Sequence, residues 1–302
     1  MKKIAMVVHG GAGANSAFLR RNKKDIEQGL INAVQHGHNI LKKGGTSLQS
    51  VEEAIMLLED NALFNAGKGS TLNCKGEVEM DASIMYGKNL KAGAVAMVRN
   101  VKNPISLARV VMHKTNHVFI AGYGAHDIAQ NQGIILEPDA YFITEHQYAA
   151  YAKLHLRGTN QKILQEETYG TVGAVALDKK GNIAAGTSTG GTSNCLPARI
   201  SDSCIIGGGC YANNHNCAIS GTGDGEFLIR GVIAHTIAMY VELKNMTLQE
   251  ACDFVIHTCN KTNKAGIGVI GVTPQGEIGA SYNTAVMKRA SINAEGILDV
   301  RL

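Results

Sequence analysis

A glycine and a threonine near the middle of the chain, Gly170 and Thr171, stand between a polar stretch and a run of small apolar residues. A threonine hydroxyl is a weak nucleophile unless a base lies beside it, and the α-amino group of an N-terminal threonine is such a base. Its ordinary pKa of ~7.7–8.0 leaves part of it neutral near pH 7, so no histidine is required. If the Thr171 hydroxyl attacked the Gly170 carbonyl, the chain would cut itself and create this base, and glycine tolerates the backbone that the attack needs.

A second group of polar residues lies in the string GTSTGG and beyond it. A short turn separates the strand that starts at Thr171 from the strand that carries Thr189, so the two hydroxyls are predicted to be neighbours. Arg199 and Asp202 could then bind the carboxylate and the ammonium group of an amino acid, because a planar guanidinium suits bidentate carboxylate binding. The alternative is an ordinary ion pair in a surface loop.

The third group is the string GTGDG at residues 221–225, which runs into a predicted helix. Backbone N–H groups of such a turn point outward and could stabilise a developing oxyanion. One donor of this kind typically lowers a reaction barrier by ~3–4 kcal/mol. A glycine-rich helix entry without any chemistry is the alternative.

Three other chemistries are suggested by short strings and rejected by their context. Residues 186–190 fit the G-x-S-x-G elbow of serine esterases, and HGGAG at 9–13 is similar to an oxyanion loop, but the segment after the elbow cannot open a helix at once. Lys68 in GKGST is followed by Gly69, and no glycine stands five residues before it, so the string does not fit a phosphate-binding loop. The eleven histidines have no spacing typical of a metal site.

The hydrophobic periods along the chain predict the elements that would hold these residues. Helices flanking antiparallel hairpins in both halves predict an α+β fold with four layers, an αββα sandwich. Two of the helices carry predicted capping boxes, Thr46 with Gln49 and Thr247 with Glu250. The predicted elements are a strand at 4–8, helices at 22–43 and 46–59, a hairpin of 70–73 with 77–85, a strand at 92–98, a helix from Pro104, a short apolar run at 118–121, a hairpin from Thr171, helices at 225–243 and 247–260, and a hairpin from Ile267.

Composition limits the class of protein and its partners. With 302 residues and 45% apolar content the chain can bury a full core, and seven irregularly spaced cysteines fit a reducing compartment. The net charge of +4 comes from interspersed residues, which argues against nucleic acid and membrane and favours a small-molecule partner. No stretch has the ~18 apolar residues of a membrane helix, and the N-terminus resembles a buried strand rather than a signal peptide, so we expect a cytoplasmic protein. The polar residues at about 150–170 predict an exposed tether, with a surface helix followed by a loop as the alternative.

Several strings in one order resemble the plant-type asparaginase and isoaspartyl peptidase family of N-terminal nucleophile hydrolases. They cover nearly the whole chain and are far more specific together than any one of them. They are HGGAG, LFNAGKGSTLN, GEVEMDASIM, KAGAVA, NPISLAR, TVGAVALD, GNIAAGTSTGG, PARISDS, CYANN and TGDGE. The resemblance implies a self-cleaving amidohydrolase that acts on L-asparagine and β-aspartyl (isoaspartyl) dipeptides through an ester on its threonine.

The resemblance also implies which residues react. Cleavage between Gly170 and Thr171 would leave Thr171 as the nucleophile, with Thr189 and Thr222 as hydroxyl neighbours. Asn65 would face the nucleophile and help to hold the intermediate.

A substrate site is implied by the same comparison of strings. Arg199 and Asp202 would hold the α-carboxylate and α-amino groups of the substrate. Thr222 with Gly223 would form the oxyanion side, and Gly223 and Gly225 would add backbone contacts.

The resemblance further implies two chains, residues 1–170 and 171–302, which form one globular unit, and a dimer of these α/β pairs. It implies no catalytic cofactor, but a structural sodium ion held mainly by backbone oxygens of the loop at 58–68. The residues of that loop that would hold the ion are Leu58, Glu59, Asn61, Phe64, Ala66 and Lys68.

Some residues differ from those usual in the family. Gly221 stands where many members have Cys or Thr, and Asp224 places an acid between two binding glycines, where an inward charge would weaken carboxylate binding. Ala198, Ser201 and Cys204 replace Gly, Gly and Pro. These differences leave the substrate preference open.

Three alternatives to this function stay open on the sequence. Glycosylasparaginases have Asp where this chain has Gly170, and taspase-like proteases lack an Asp at the position of Asp202. The alternative from another class is an uncleaved binding protein that keeps the fold.

Overall fold

The computed structural model of the protein describes residues 3–156, 170–259 and 265–302. The strands are β1 (Ala5–Gly13), β2 (Met80–Tyr86), β3 (Ala92–Val98), β4 (Phe119–Ala121), β5 (Val172–Leu177), β6 (Ile183–Thr189), β7 (Cys210–Ala212), β8 (Ala218–Gly223), β9 (Ile267–Val272), β10 (Ile278–Tyr282), β11 (Val286–Ile292) and β12 (Leu298–Arg301). The helices are α1 (Ala17–Arg21), α2 (Lys23–Lys42), α3 (Ser47–Glu59), α4 (Pro104–Lys114), α5 (Gly122–Asn131), α6 (Asp139–Phe142), α7 (Glu145–Leu156), α8 (Gly225–Arg230), α9 (Ile233–Lys244) and α10 (Leu248–Asp253), with a 3₁₀ turn at Asp202–Cys204 and a π-helical turn at Phe254–Cys259.

The strands form two sheets. The large sheet has the order β12-β11-β1-β5-β6-β2-β3-β4, and the small sheet has the order β10-β9-β8-β7. Neighbouring strands in these sheets are antiparallel, except that β3 and β4 are parallel. Because β1 pairs with both β5 and β11, the large sheet joins strands from before and after Thr171.

Three hydrophobic clusters separate four layers. The first lies between helices α2–α4 and the outer face of the large sheet and contains Leu30 and Ile55. The second fills the space between the two sheets, and the third lies between the small sheet and helices α8–α10. The predicted α+β fold, a four-layer αββα sandwich, is therefore confirmed.

Strand β5 shows how the sequence fits between two layers. All of its residues are buried, and successive side chains point to opposite faces. Ala174 and Ala176 belong to the helix-side cluster, whereas Val175 and Leu177 belong to the cluster between the sheets. A strand covered on both faces has no polar side, which explains why TVGAVAL is apolar without alternation.

Most of the predicted elements are present. The predicted hairpins of the second half are β5 with β6 and β9 with β10. Helix α10 begins with the predicted capping box of Thr247 and Glu250. Thr46 caps α3 by accepting from the Gln49 N–H, but the Gln49 side chain donates to Glu53 and does not complete a box.

The predicted hairpin of residues 70–73 and 77–85 is wrong. Only β2 is a strand in this region, and its partners are β3 and β6. The Asn73 side-chain oxygen accepts hydrogen bonds from the N–H groups of Lys75 and Glu77. This side-chain turn replaces the start of a strand ladder, a common alternative for asparagine.

Other differences concern the lengths of elements. The predicted strand at 4–8 continues through HGGAG as β1. The predicted helix at 225–243 is divided into α8 and α9, because Val232 has a left-handed φ of 45°. A β-branched residue rarely adopts this backbone, so no local pattern predicts the break. Strands β7, β8, β11 and β12 are not among the predicted elements.

The predicted tether at 150–170 overlaps helix α7, which extends to Leu156. Leu154 is buried, and the Gln147 side chain donates to the Gly69 carbonyl at 2.9 Å, so the helix is fixed to the body of the protein. The first residues of that stretch are therefore helical rather than tether. Residues 157–169 lie outside the described residues.

Gly93 tests the packing of α4 on the large sheet. A Cβ at this position would stand 2.0 Å from the Ala108 carbonyl oxygen and 2.7 Å from the Met112 nitrogen. We expect Gly93→Ala to lower the free energy of unfolding by ~2 kcal/mol, because the added methyl group must push the helix away. Gly124→Ala is the control, since the nearest atom to a Cβ there is 3.6 Å away. Chemical denaturation measures both variants, and equal stabilities would contradict this account.

Candidate functional site

Thr171 lies immediately before β5 in a narrow space between β1 and the loop that carries Asn65. Gly170 is buried, and Thr171 is only 6% exposed. Gly11 has a φ of +101°, and a Cβ on it would be 2.8 Å from the Gly170 Cα. On the other side, a Cβ on Gly170 would be 2.9 Å from the Asn65 Cβ. Glycine is therefore needed at both positions for the chain to pass.

The Thr171 hydroxyl belongs to a hydrogen-bond chain that returns to the peptide bond before it. It donates to Thr189 Oγ1 at 3.2 Å, and Thr189 donates to the Gly170 carbonyl oxygen at 3.3 Å. The Gly191 N–H donates to the same Thr189 oxygen at 3.2 Å. Since one hydroxyl has a single proton, these contacts direct the Thr189 proton toward the Gly170 carbonyl. The two threonines are neighbours, as the hairpin predicts.

A buried polar network beneath Thr171 joins the small sheet to the large one. His9 Nε2 contacts Ser220 Oγ at 2.9 Å, and Ser220 contacts Thr187 Oγ1 at 2.7 Å. Gly173 leaves room for this network, because a Cβ there would be 2.0 Å from the Ser220 oxygen. Burial lowers the pKa of His9 to about 3, so its ring is neutral. The network is not among the predicted site residues.

Thr222 is buried two residues after Ser220 on β8, so both side chains point toward the large sheet. The Ala12 N–H donates to Thr222 Oγ1 at 3.3 Å, while Ser220 contacts His9. Strand β8 therefore runs in the same direction as β1 and in the opposite direction to β5. This direction places Thr222 at the level of Thr171. Within the described ranges Thr222 donates no hydrogen bond, so its hydroxyl proton is available to a bound group.

The predicted turn at residues 221–225 is corrected by the structure. Residues 221–223 are the end of β8, and only Gly225 begins a helix. The Gly221 N–H donates to the Gly209 carbonyl at 2.8 Å, and the Asp224 N–H donates to the Gly266 carbonyl at 2.9 Å. These two N–H groups are therefore occupied and do not point to an open site.

Asp224, the acid between Gly223 and Gly225, is the N-cap of α8. Its Oδ1 accepts a hydrogen bond from the Phe227 N–H at 3.1 Å, the usual contact of an N-cap aspartate. Gly223 has a φ of +125°, which favours glycine at this position. One carboxylate oxygen of this added acid is therefore used to cap the helix.

Arg199 lies on the loop after β6, and its side chain is 15% exposed. Its Nε and Nη2 donate to the two carboxylate oxygens of Glu226 at 2.9 and 2.8 Å. Burial acts to lower the pKa of Arg199, but the Glu226 charge raises it above its ordinary value. The predicted alternative, an ion pair, is therefore present. The Nη1 group forms no hydrogen bond with a described residue, so this end of the guanidinium is open to a second carboxylate.

Asp202 is 2% exposed, and its Oδ2 has no hydrogen-bond donor among the described residues. Burial raises the pKa of Asp202 to about 7, despite the nearby charge of Arg199. Gly225 lies close to both groups, since a Cβ there would be 2.8 Å from Asp202 Oδ1 and from Arg199 Nη2. The structure thus brings the three residues together, and a buried carboxylate without a donor suits a cation such as an ammonium group.

Two carboxylates that sequence reasoning missed hold the Arg199 loop. Asp81, on β2, accepts from the N–H groups of Ser201 at 2.7 Å and Met97 at 2.9 Å. Glu79 accepts from the Ala198 N–H at 2.9 Å, and Ala198 has a φ of +65° where glycine is usual. In the string EVEMD the acids recur every second residue, which would place them on one face of a strand and was the available signal.

Asn65 contacts Gly170, but its amide group is used elsewhere. Its Nδ2 donates to the Gly191 carbonyl at 2.8 Å, and its Oδ1 accepts from the Thr71 N–H at 2.9 Å. The Gly190 N–H donates to the Asn65 main-chain carbonyl at 3.1 Å. Asn65 therefore ties its loop to the end of β6 and bounds the space around Gly170.

The loop at 58–68 folds back on itself, because the Lys68 N–H donates to the Glu59 carbonyl at 2.7 Å. The carbonyl oxygens of Phe64, Ala66 and Lys68 accept no backbone hydrogen bond from the described residues. The Lys68 ammonium group lies over the ring of Tyr141, 5.4 Å from its centroid. Hard cations prefer oxygen ligands, so these carbonyls fit a site of that kind.

Ser188, the serine of the esterase-like string, does not stand at an elbow. It lies inside β6 and donates to Glu59 Oε1 at 2.6 Å on the helix side of the sheet. Burial raises the pKa of Glu59 to about 8, so this acid is largely protonated at neutral pH. Because neighbouring residues of a strand face opposite sides, Ser188 points away from the face that Thr189 shares with Thr171.

Two classes of site are absent from the described residues. In these ranges no three His, Cys, Asp or Glu side chains are grouped so that they could hold a metal ion. No helix in the same ranges combines the length and the apolar character that a membrane crossing requires. Neither observation concerns the backbone oxygens of the loop at 58–68.

Comparison with known proteins gives matches along almost the full length. The family described as asparaginase matches residues 2–302. An isoaspartyl peptidase/L-asparaginase of Xenopus laevis is 41% identical over 291 residues, which cover 96% of this chain and 92% of the relative. A protein of the same name from Rattus norvegicus is 42% identical, with 96% and 86% covered. An isoaspartyl peptidase of Salmonella typhimurium strain LT2 is 39% identical over 298 residues, with 96% and 95% covered.

The match and the geometry lead to the same group of proteins. The family match extends over both sheets, all four layers and each of the residues described above. The resemblance read from the short strings is confirmed by relatives of about 40% identity that carry the same names. This chain belongs to the asparaginase family, in its plant-type asparaginase and isoaspartyl peptidase branch.

Proposed function

We propose that the protein is an amidohydrolase that cleaves L-asparagine and β-aspartyl dipeptides after cutting itself between Gly170 and Thr171. The observation that carries this proposal is the hydrogen-bond chain from the Thr171 hydroxyl through Thr189 to the Gly170 carbonyl. The relatives support the substrate class, since each is named an isoaspartyl peptidase and two are also named L-asparaginases.

Self-cleavage begins with the uncut chain. The Thr171 hydroxyl oxygen adds to the carbonyl carbon of Gly170, and the hydroxyl proton is transferred to the amide nitrogen. The C–N bond then breaks, which leaves an ester on the oxygen and a free amine on the same residue. Water then hydrolyses the ester and releases a chain that ends at Gly170. Thr189 assists the first step by donating to the carbonyl oxygen on which negative charge develops.

Turnover uses the amine that this cleavage creates. The amine accepts the proton of the Thr171 hydroxyl, which attacks the side-chain amide carbon of the substrate. Thr189 orients the amine, and Thr222, beside Gly223, donates its unused proton to the developing oxyanion. The protonated amine then gives its proton to the amide nitrogen of the substrate, which leaves as ammonia or as an amino acid. Water finally hydrolyses the β-aspartyl ester to aspartate.

Recognition of the substrate follows from the two buried charges. The open edge of the Arg199 guanidinium binds the α-carboxylate, and Asp202 accepts hydrogen bonds from the α-ammonium group. Gly225 keeps the space above both groups free, because any side chain there would collide with them. The pairing of Arg199 with Glu226 holds the guanidinium in place for this contact.

No catalytic cofactor is needed, because the nucleophile and its base come from one residue. A sodium ion in the loop at 58–68 would be structural, and it would fix the loop that presents Asn65. The free carbonyl oxygens on that loop support it. Of the six residues predicted to hold the ion, Phe64, Ala66 and Lys68 offer these free carbonyls. The carbonyls of Leu58, Glu59 and Asn61 already accept backbone hydrogen bonds, from the N–H groups of Asn61, Lys68 and Phe64 respectively.

The mature protein consists of an α chain, residues 1–170, and a β chain, residues 171–302. The chains stay together because β1 pairs with β5 and β11 across the cut. A dimer of these pairs is the form that the family resemblance favours. The irregularly spaced cysteines favour a reducing compartment, the cytoplasm, and the interspersed charges favour a small-molecule partner.

Two observations favour this reading over the alternatives. Gly170 fills a space that admits no side chain, which disfavours the aspartate of a glycosylasparaginase. Asp202 is present, buried and beside Arg199, which disfavours a taspase-like protease. A denaturing gel distinguishes an uncleaved binding protein, which gives one band, from a self-cleaved enzyme, which gives two.

Thr171→Ala tests the nucleophile. The wild type should give two bands on a denaturing gel, with a chain that mass spectrometry finds to begin at Thr171. The variant should stay intact and lose asparagine hydrolysis by at least ~10³-fold, because it has neither hydroxyl nor new amine. Ser188→Ala, which removes a hydroxyl from the opposite face of the same hairpin, should still mature. Hydrolysis by the intact variant, or an active but uncut wild type, would refute the assignment.

Arg199→Ala separates self-cleavage from turnover. Only the reaction on a free substrate uses the α-carboxylate contact, so maturation should be normal while kcat/KM for L-asparagine falls ~10–100-fold. Steady-state kinetics on the mature variant measure the loss, and Arg301→Ala, which removes an exposed ion pair with Asp299, is the control. If maturation and turnover decline together, Arg199 acts in the fold instead.

Asp202→Asn tests the buried charge through stability. The pKa of Asp202 is about 7 in the folded protein against an ordinary 3.8, so the unfolded chain gives up this proton at lower pH and folding stability falls as pH rises between these values. The neutral variant avoids that loss, so its Tm should exceed that of the wild type at pH 8, by the equivalent of up to ~4 kcal/mol, and the excess should shrink toward pH 5. Thermal unfolding at both pH values measures this difference in Tm, with Asp299→Asn as the exposed control. A difference in Tm that does not vary with pH would contradict the assigned pKa.

A further inference from the structure

A pocket of about 320 Å³ opens beside Gly170 and is lined by neither Arg199 nor Asp202. Gly170 and Asn65 form part of its wall. The wall also includes cations from three separate elements, and no aspartate or glutamate is among its lining residues. The cations are Arg21 at the end of α1, Lys153 on α7 and Lys288 on β11.

These three cations are not neutralised by the described parts of the protein. Their side chains form no ion pair and no hydrogen bond with any described residue. Burial lowers the pKa of Lys288 to about 8, so most of this group still carries its charge at pH 7. A desolvated cation without a counter-ion is costly unless an anion binds to it.

Part of the pocket wall is aromatic. The rings of Phe18 and His146 are stacked at 3.7 Å, and both line the pocket. Burial and the charge of Arg21 lower the pKa of His146, which favours the uncharged form of this ring. The pocket combines cations with a flat ring surface, which suits an amino acid that has a carboxylate and a side chain.

The position of the pocket relates it to the leaving group. The nitrogen of Thr171 is bonded to Gly170, so after the proposed cleavage the free amine borders this pocket. That amine protonates the leaving nitrogen of the substrate, which must therefore lie on the same side. Arg199 and Asp202 hold the aspartyl half of the substrate outside this pocket.

The two substrate types differ in what they place here. Asparagine releases ammonia, which is too small to reach the pocket wall. A β-aspartyl dipeptide releases an amino acid whose carboxylate carbon is only two bonds from the leaving nitrogen. The dipeptide therefore brings a negative charge to the side on which the three cations without an ion-pair partner in the described ranges lie.

We propose that this pocket is the subsite for the leaving amino acid of β-aspartyl dipeptides, and that Lys288 binds the carboxylate of that residue. Arg21 and Lys153 attract the same carboxylate from the rim, where both are exposed. The inference rests on the proposed function and adds a determinant of preference between its two substrate types.

Three substrates and three variants test the subsite. The substrates are β-aspartyl-leucine, its C-terminal amide and L-asparagine, and the variants are Lys288→Met, Lys288→Arg and, as the control outside the pocket, Lys180→Met. Lys288→Met should lower kcat/KM for β-aspartyl-leucine about tenfold more than for the amide or for asparagine, the size expected for a charged hydrogen bond. Lys288→Arg should keep most of the preference, and wild type should prefer the acid to the amide by a similar factor.

Several outcomes would overturn the subsite. An equal loss on all three substrates would make Lys288 structural, and an unchanged preference would remove it from the site. If Lys288→Met fails to mature, the wild type alone still tests the subsite. Equal kcat/KM of the wild type for β-aspartyl-leucine and for its C-terminal amide would exclude a carboxylate contact. A wild type that hydrolyses all three substrates without preference refutes only the subsite, whereas one that hydrolyses none refutes the proposed function as well.

Discussion

The contact on which the site depends is the one between two buried hydroxyls, those of Thr171 and Thr189. Their spacing exists only because β5 and β6 form a tight hairpin, and the hairpin is held flat between helices on one face and a second sheet on the other. In the described structure no ionisable side chain forms a hydrogen bond with either hydroxyl. An uncut chain of this fold therefore contains a positioned nucleophile without a base, and the proposed mechanism supplies the base from the chain itself.

The recognition groups show a different physical balance. Asp202 and Arg199 are both removed from water, yet only Arg199 has a full partner, in Glu226. The loop that carries them is held by Asp81 through main-chain N–H groups rather than by contacts between the two charges. The protein thus tolerates one underpaired buried carboxylate, a destabilising feature that a substrate ammonium group would relieve. Stability and affinity oppose each other at this residue.

The sequence predicted the layered fold, the hairpin of Thr171 and Thr189 and the cluster of Arg199, Asp202 and Gly225, since these follow from local periods and from the resemblance. It did not predict the break at Val232, where a β-branched residue has a left-handed backbone. It also did not predict the turn at Asn73, which depends on a side-chain hydrogen bond. Hydrophobic periodicity indicates neither feature. Strand β11 was not predicted, because Lys288 and Arg289 interrupt its apolar pattern.

Carboxylates that position other groups were also missed. Asp81 and Glu79 act through main-chain N–H groups far along the sequence, so their residue types alone do not indicate what they hold. The network of His9 and Ser220 joins residues 211 positions apart, and only the packing of the two sheets brings them together. For GTGDG the string indicated N–H groups at a turn, whereas pairing in the small sheet had already used two of them.

The burial of Gly170 has a consequence for how the protein is made. With this residue covered and Thr171 almost covered, a separate protease cannot place its own active site around the bond between them without first unfolding the sandwich. Under the proposed mechanism, processing is therefore a first-order event within one molecule. Its rate does not depend on protein concentration, and maturation can take place only once the hairpin of β5 and β6 has brought Thr189 beside Thr171.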